Sequence, residues 1–266
     1  MTENSRINIT QPHTARIWNY WLGGKDNYEV DRVAGDRIRE LHPGIGEYAR
    51  ADRLFLGRAV EHLVTEAGIR QFLDIGTGLP TADNTHEVAQ RLAPEARVVY
   101  VDNDPLVLAH ARALLTSTPE GRTDYLDEDL RNTDAILRHA EKTLDFDEPV
   151  ALVLLGVVIF IGDDEDPYGL VRGLVDRLPP GSHLVLSHTI TSPAMPDVDE
   201  AVAFWNEHGT PKLTQRTPGS VARFFDGLEL LEPGVVSCSR WRPSPEETGE
   251  GEPAEVAMFG GVARKR

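Results

Sequence analysis

The chain is short of several things that would decide its class at once. It has a single cysteine, Cys238, which excludes an internal disulfide, and no CxxC or HExxH spacing offers a zinc site, so no metal is expected. A reducing cytoplasm is the expected compartment. Base is scarce: 27 Lys and Arg stand against 43 Asp and Glu, a formal net charge of −16 at pH 7. Proteins hold nucleic-acid backbones largely by displacing counterions with Lys and Arg, so a nucleic-acid partner is disfavoured. Long apolar runs are missing too. The longest, residues 150–161, is too short to span a bilayer, and the polar start MTENSRINITQPH has no signal-like apolar stretch. No membrane role is expected, and the run reads as a buried strand entering a loop. What remains, 40% hydrophobic and 26% charged over 266 residues, suits one α/β domain with a sizeable core and an appended helical segment.

Two kinds of patterning follow one another. Residues 15–67 read as helices and turns, with Leu54, Phe55, Ala59, Val60, Leu63, Val64 and Ala67 near period 3.6 and Gly68 as a C-cap. From Gln71 onward, short apolar runs at 72–75, 98–101, 150–155 and 184–186 alternate with helical stretches, as in a parallel sheet with crossover helices. Asp104-Pro105 and Asp166-Pro167 each present an N-cap followed by proline at the first helical position, and Asp197 with Glu200 forms a capping-box pattern. Residues 228–231 and 256–262 look like two last strands. The insert between them, with a mobile hairpin loop at 243–254, is too acidic and too rich in Pro and Gly to pack.

The chemistry concentrates in QFLDIGTGLPT, residues 71–81. An apolar strand, Asp74 and then Gly76 and Gly78 open like a dinucleotide fingerprint, but Thr81 stands where its third glycine belongs. The pyrophosphate reading is weakened. The next strand ends in VVYVDNDP, which puts Asp102 beside the glycine loop, where its two oxygens can accept from both hydroxyls of an unphosphorylated ribose. In YLDEDLRN, Asp129 can accept from an adenine amino group and the Leu130 N–H can reach a ring nitrogen. Three polar contacts at three successive strand ends suit an adenosine ligand without a pyrophosphate.

On these residues the chain resembles the class I S-adenosylmethionine-dependent methyltransferases, and more closely the S-adenosyl methyltransferase family formerly filed as a domain of unknown function. The similarity runs from ARIWNYWLGGKDNYEVDR through FLDIGTGLPTADNTHEVAQ, ARVVYVDNDPLVLAHARALL and DEDLR to GSHLVLSH. The resemblance implies an α/β, Rossmann-like sheet of seven mostly parallel strands with an antiparallel last strand. An N-terminal helical lid, residues 1–67, covers a cofactor-binding domain, residues 68–266. The resemblance assigns Asp74, Gly76, Thr77 and Gly78 to the amino-acid part of S-adenosylmethionine, and Asp102 with Asn103 to its ribose. Asp129 with Leu130 go to its adenine, and Leu155 to the same cleft. It also places Gly24, Lys25 and Asn27 near the charged amino-acid end, with Tyr20, Trp21 and Tyr28 walling the acceptor site. The plainer alternative for these aromatics is packing on the main domain beside a helix-ending turn.

Relatives often carry a histidine after the fourth strand, where this chain has Ile159, so a role borrowed for that position lapses. His188, after the strand HLVLS, is the first candidate for a catalytic base, or else a histidine simply hydrogen-bonded at a strand end. His183 and His188 are five residues apart and face opposite ways, and His86 reads as structural. The expected activity is methyl transfer to a small-molecule acceptor by in-line displacement, releasing S-adenosylhomocysteine. A non-catalytic sensor of the same cofactor and, further off, an NAD-dependent oxidoreductase are the alternatives.

Overall fold

In the computed structural model, residues 8–80, 82–114, 116–248 and 251–266 are described; Thr81 and residues 249–250 of the acidic insert lie outside them, as does the start of the chain. Three helices come first: α1 (Thr14–Trp21), α2 (Glu29–Leu41) and α3 (Ile45–Thr65). The longest, α3, buries Tyr48, Asp52, Phe55, Leu56, Ala59, Val60, Leu63 and Val64, a row at helical spacing that faces the sheet. Two residues of the expected stripe fall off it. Leu54 is 41% exposed, because it lies across the helix from Asp52 and Leu56, and Ala67 is exposed beyond the last turn. Gly68, at φ +69°, reverses the chain as expected, and the Ile69 amide returns to the Leu63 carbonyl at 2.9 Å.

The alternating region folds as β1 (Gln71–Ile75), α4 (Thr85–Leu92), β2 (Arg97–Asp102), α5 (Pro105–Leu114), β3 (Arg122–Asp127), α6 (Thr133–Ala140), β4 (Ala151–Leu155), α7 (Pro167–Asp176) and β5 (His183–Thr189). Then come α8 (Pro196–His208), α9 (Pro218–Ala222), β6 (Glu229–Leu230), β7 (Val236–Ser237), α10 (Pro245–Thr248) and β8 (Met258–Arg264). The strand order is β3-β2-β1-β4-β5-β8-β6; β1 to β5 run parallel, and β8 lies antiparallel against β5, β6 and β7. The Rossmann-like mostly parallel sheet with an antiparallel last strand is therefore present. Eight strands are described rather than seven, since Val236 and Ser237 add a short pairing to β8. Every residue of β1 and β5 is buried, as in strands covered on both faces.

Some local expectations change. Edge strand β3, RTDYLD, is half exposed and mixed in polarity, so it shows no apolar run. Asp104 and Asp166 do cap their helices, accepting from Leu106 N at 2.8 Å and Gly169 N at 3.0 Å. Asp197 does not. With Pro196 at its first position, α8 starts earlier, and the Asp197 carboxylate turns to His42 instead. The insert also packs in part: α10 places Glu247 2.5 Å from Arg58, which supplies the cation its acidic run lacks. Ile17, Ile38 and Ile45 of the N-terminal helices join the same core as the sheet. Among the described residues, no helix is long and apolar enough to cross a membrane.

Candidate active site

The chain order reverses between β1 and β4, the usual place for a ligand cleft beyond the carboxyl ends of strands. A cavity of about 490 Å³ lies there, within the range of small-molecule sites. Nine of the residues singled out from the sequence line it together: Asp74, Gly76, Thr77, Gly78, Asp102, Asn103, Asp129, Leu130 and Leu155. They come from the ends of β1, β2, β3 and β4. The glycines are required by geometry. At Gly76, φ is +76° and a Cβ would meet the Val157 side chain at 2.4 Å; at Gly78, φ is +65° and a Cβ would project into open space that a ligand can fill.

The amides of this loop answer whether it can cradle a pyrophosphate. Gly76 and Thr77 donate to the Val101 carbonyl at 2.8 and 3.5 Å, and Gly78 donates to Asp102 Oδ2 at 2.9 Å. These three donors are occupied inside the protein. The walls add acids rather than bases: Asp52, Asp74, Asp102, Glu128 and Asp129 face Arg53 and Arg131. Burial pushes the carboxyls of Asp52, Asp74 and Asp102 up to about 6, opposed by hydrogen bonds from Ser187 to Asp52, from Thr85 to Asp74 at 2.5 Å, and from the Gly78 and Asp104 amides to Asp102. A cavity of this character suits a ligand with cationic groups and free hydroxyls better than one with two phosphates.

Asp102 has a second duty. Its Oδ1 accepts from Asp104 N at 2.9 Å while Oδ2 holds Gly78, so it ties the two loops together as well as facing the cavity. Asp129 is similarly engaged, by Asn103 Nδ2 at 3.1 Å and by Arg131.

The N-terminal residues are placed differently from expectation. Trp18, Asn19 and Leu22 of α1 and its turn line the cavity, together with His13 and Thr14; Gly24, Lys25, Asn27, Tyr20, Trp21 and Tyr28 do not. Lys25 is exposed. Asn27 acts at one remove: its Nδ2 donates to Asn19 Oδ1 at 3.0 Å, Asp26 N donates to the same oxygen, and Gly24 packs so closely that a Cβ would clash with the Asn19 amide. The turn thus orients Asn19. Tyr20 turns outward to Asp36 at 2.7 Å, and Tyr28 packs with Leu79, Leu106 and Val107 beneath the glycine loop. Trp21 borders a smaller neighbouring chamber.

His188 is also displaced from its expected position. Alternation along β5 turns Thr189 toward α3, where its hydroxyl meets Tyr48 Oη at 2.5 Å, so His188 faces away. It is fully buried against Phe224, with Nδ1 2.8 Å from the Thr189 carbonyl and Nε2 2.7 Å from Arg216 Nη1. Burial holds its pKa down to about 4, and it does not line the cavity. His86 is structural, its ring and amide both 2.8 Å from the Tyr100 hydroxyl. Asp52 and Arg53, by contrast, line the cavity without belonging to any of the strand-end motifs. An acid in the middle of the apolar row of α3 was the visible signal.

Comparison with known proteins fits this geometry. A family model described as S-adenosyl methyltransferase matches residues 1–266. The chain belongs to the S-adenosyl methyltransferase family. The crystal structure of a DUF574-family protein from Streptomyces avermitilis is 44% identical, with 98% of this chain and 100% of that one covered and a TM-score of 0.94. A candidate methyltransferase of Thermobifida fusca is 38% identical over 97% of both chains, with a TM-score of 0.85. An O-methyltransferase family protein from Burkholderia thailandensis shares the fold at 13% identity and a TM-score of 0.54, over 84% of this chain and 60% of that one. No protein in the curated set matches. The cofactor of an S-adenosyl methyltransferase is S-adenosylmethionine, and the residues fit it: the loop amides are occupied, Gly78 opens onto the cavity, and the acids around it complement a sulfonium and an ammonium.

Proposed function

We propose that this S-adenosyl methyltransferase transfers a methyl group from S-adenosylmethionine to a small-molecule acceptor within the cavity beyond β1. The observation that carries the reading is the convergence of the Gly76–Gly78 loop, Asp102 and Asp129 on one acid-rich cavity whose loop amides cannot serve a pyrophosphate. Asp102 takes the ribose hydroxyls, and Asp129 with Leu130 borders the adenine. Asp74 and Asp52 face the ammonium, and Arg53 supplies the cation for the carboxylate. Leu155 and Asn103 complete the walls.

The cofactor supplies an activated methyl group on a good leaving group, so the protein's part is alignment and exclusion of water. Residues 1–67 act as the lid over a domain formed by 68–266. Trp18 and Asn19 are its inner face, and Asn27 and Gly24 hold Asn19 in place. The electron-rich face of Trp18 favours a cation beside it.

The test is release of S-adenosylhomocysteine from S-adenosylmethionine across a panel of hydroxyl, amine and thiol compounds. Turnover with at least one supports the reading. Tight cofactor binding without turnover on any of them would favour a sensor.

A further inference from the structure

Beside the main cavity lies a smaller chamber of about 70 Å³, and the two share Thr14, Trp18, Gly156 and Phe160 as walls. Aromatic and aliphatic groups dominate it, among them Trp21, Ile45, Ile159 and Trp205. Few polar side chains reach it. Tyr48 and Thr189 are bonded to each other, at 2.5 Å, which leaves Thr14 and one titratable group, His42. The His42 Nδ1 lies 2.5 Å from Asp197 Oδ2, and its Nε2 is buried with no hydrogen-bond partner among the described residues. A buried ring nitrogen left unpaired is unusual and needs a reason.

The surroundings set up this imidazole as a base. A carboxylate at Nδ1 holds the proton on that nitrogen, so Nε2 presents its lone pair. His42 caps the C-terminus of α2 and Asp197 sits in the first turn of α8, so the pair joins the ends of two helices. A pin between the two helices would need only Nδ1. It gives no account of an unpaired Nε2 on a residue that walls an aromatic chamber adjacent to the cofactor cavity.

We propose that His42 is the general base of methyl transfer, oriented by Asp197, and that the acceptor is a compact aromatic hydroxyl compound whose hydroxyl edge enters this chamber. The proposal rests on the methyltransferase reading above. A lone pair of the acceptor oxygen forms the new O–C bond as the methyl carbon's bond to sulfur breaks, with that electron pair remaining on sulfur. The hydroxyl proton passes to His42 Nε2, so the positive charge moves from sulfur to an imidazolium held by Asp197, which then loses its proton to solvent.

The experiment uses the whole chain, labelled with nitrogen-15 histidine and saturated with S-adenosylhomocysteine, and phenol as the probe. His42 is assigned by the signals lost in His42→Gln. The expected result is a Nδ1–H tautomer whose Nε2 resonance moves as phenol is added, with the tautomer disturbed in Asp197→Asn and restored in Asp197→Glu. In steady state, His42→Gln lowers kcat for phenol on the order of 100-fold, with KM for S-adenosylmethionine unchanged. Asp197, at the protein surface, gives a second variant should His42→Gln fail to fold. A His42 signal unmoved by phenol, an Nε2–H tautomer, or an unchanged kcat in either His42→Gln or Asp197→Asn overturns the proposal. A wild-type chain that fails to bind S-adenosylhomocysteine overturns the methyltransferase reading itself, and the proposal with it.

Discussion

The strand-end rim and the N-terminal cap face the same cavity, yet they are built by different rules. On the rim, each site residue follows directly from its own strand: Asp74 and the glycines after β1, Asp102 at the end of β2, Asp129 just beyond β3. In the cap, the residues that reach the cavity are chosen by tertiary bonding. Asn27 reaches it only through Asn19, and α1 is held by the buried pair Arg16–Asp31 at 2.8 Å. Backbone geometry makes the rim, whereas polar side chains position the cap.

Breaking the cap at its hub should have the largest effect. Asp31 pairs ionically with Arg16 and accepts from His13 N and from Tyr28 N, both amides at 2.9 Å, with Arg16 and Asp31 almost wholly buried. Asp31→Ala leaves a buried guanidinium uncompensated and is expected to cost roughly 3–5 kcal/mol in denaturant unfolding. An effect below 1 kcal/mol would mean the cap is not held this way.

On the rim, Asp102→Asn should weaken S-adenosylhomocysteine binding on the order of 100-fold, about 2.7 kcal/mol, by calorimetry. Asn is preferred to Ala here because Asp102 also holds Gly78 and Asp104, and its Oδ1 can keep one of those bonds. Unchanged affinity would refute the ribose assignment.

The same carboxylate sharpens the comparison through pH. With its pKa raised to about 6 by burial, Asp102 protonates as pH falls below that value, so cofactor affinity should decline from pH 7 to pH 5. Stability responds with the opposite sign. A carboxyl raised above its unfolded value binds more protons in the fold, so its contribution to stability declines as pH rises from about 4 through 6. Asp102→Asn removes that penalty and should therefore compare more favourably with wild type at pH 7 than at pH 5. A difference independent of pH would contradict the raised value.

Smaller effects separate direct from indirect members of the cap. Asn27→Ala removes one of the two donors that hold Asn19 and should weaken cofactor or acceptor binding several-fold, whereas Lys25→Ala, on an exposed side chain, should leave both unchanged. Tyr20→Phe loses the bond to Asp36 and a long one from Arg39, and should cost about 1 kcal/mol or less, with no change in ligand affinity.

The contrast also explains what was legible in the sequence. LDIGTG, VYVDNDP and DEDLR each combine a strand, a turn and an acid within a few residues, so their place at the sheet's edge follows from local pattern. The placing of His188 was not legible, because whether a strand-end residue faces the cleft depends on parity and on neighbouring strands. The aromatics of WNYWLGG share one short helix, and only packing decides that Trp18 faces the cavity while Tyr20 packs beside Gly35 and Arg39 of α2. Asp52 was visible as an acid within an apolar row, although its partners, Ser187 and Cys238, lie far along the chain.

The central claim is that this cavity is built for a sulfonium nucleoside held by Asp102 and not for a dinucleotide. It is tested most directly by parallel calorimetric titration of wild type and Asp102→Asn with S-adenosylhomocysteine and NAD. The account predicts that wild type binds the sulfur nucleotide and not NAD, and that the variant loses most of that affinity. Binding of NAD alone, or equal affinity of the two proteins for S-adenosylhomocysteine, would contradict it.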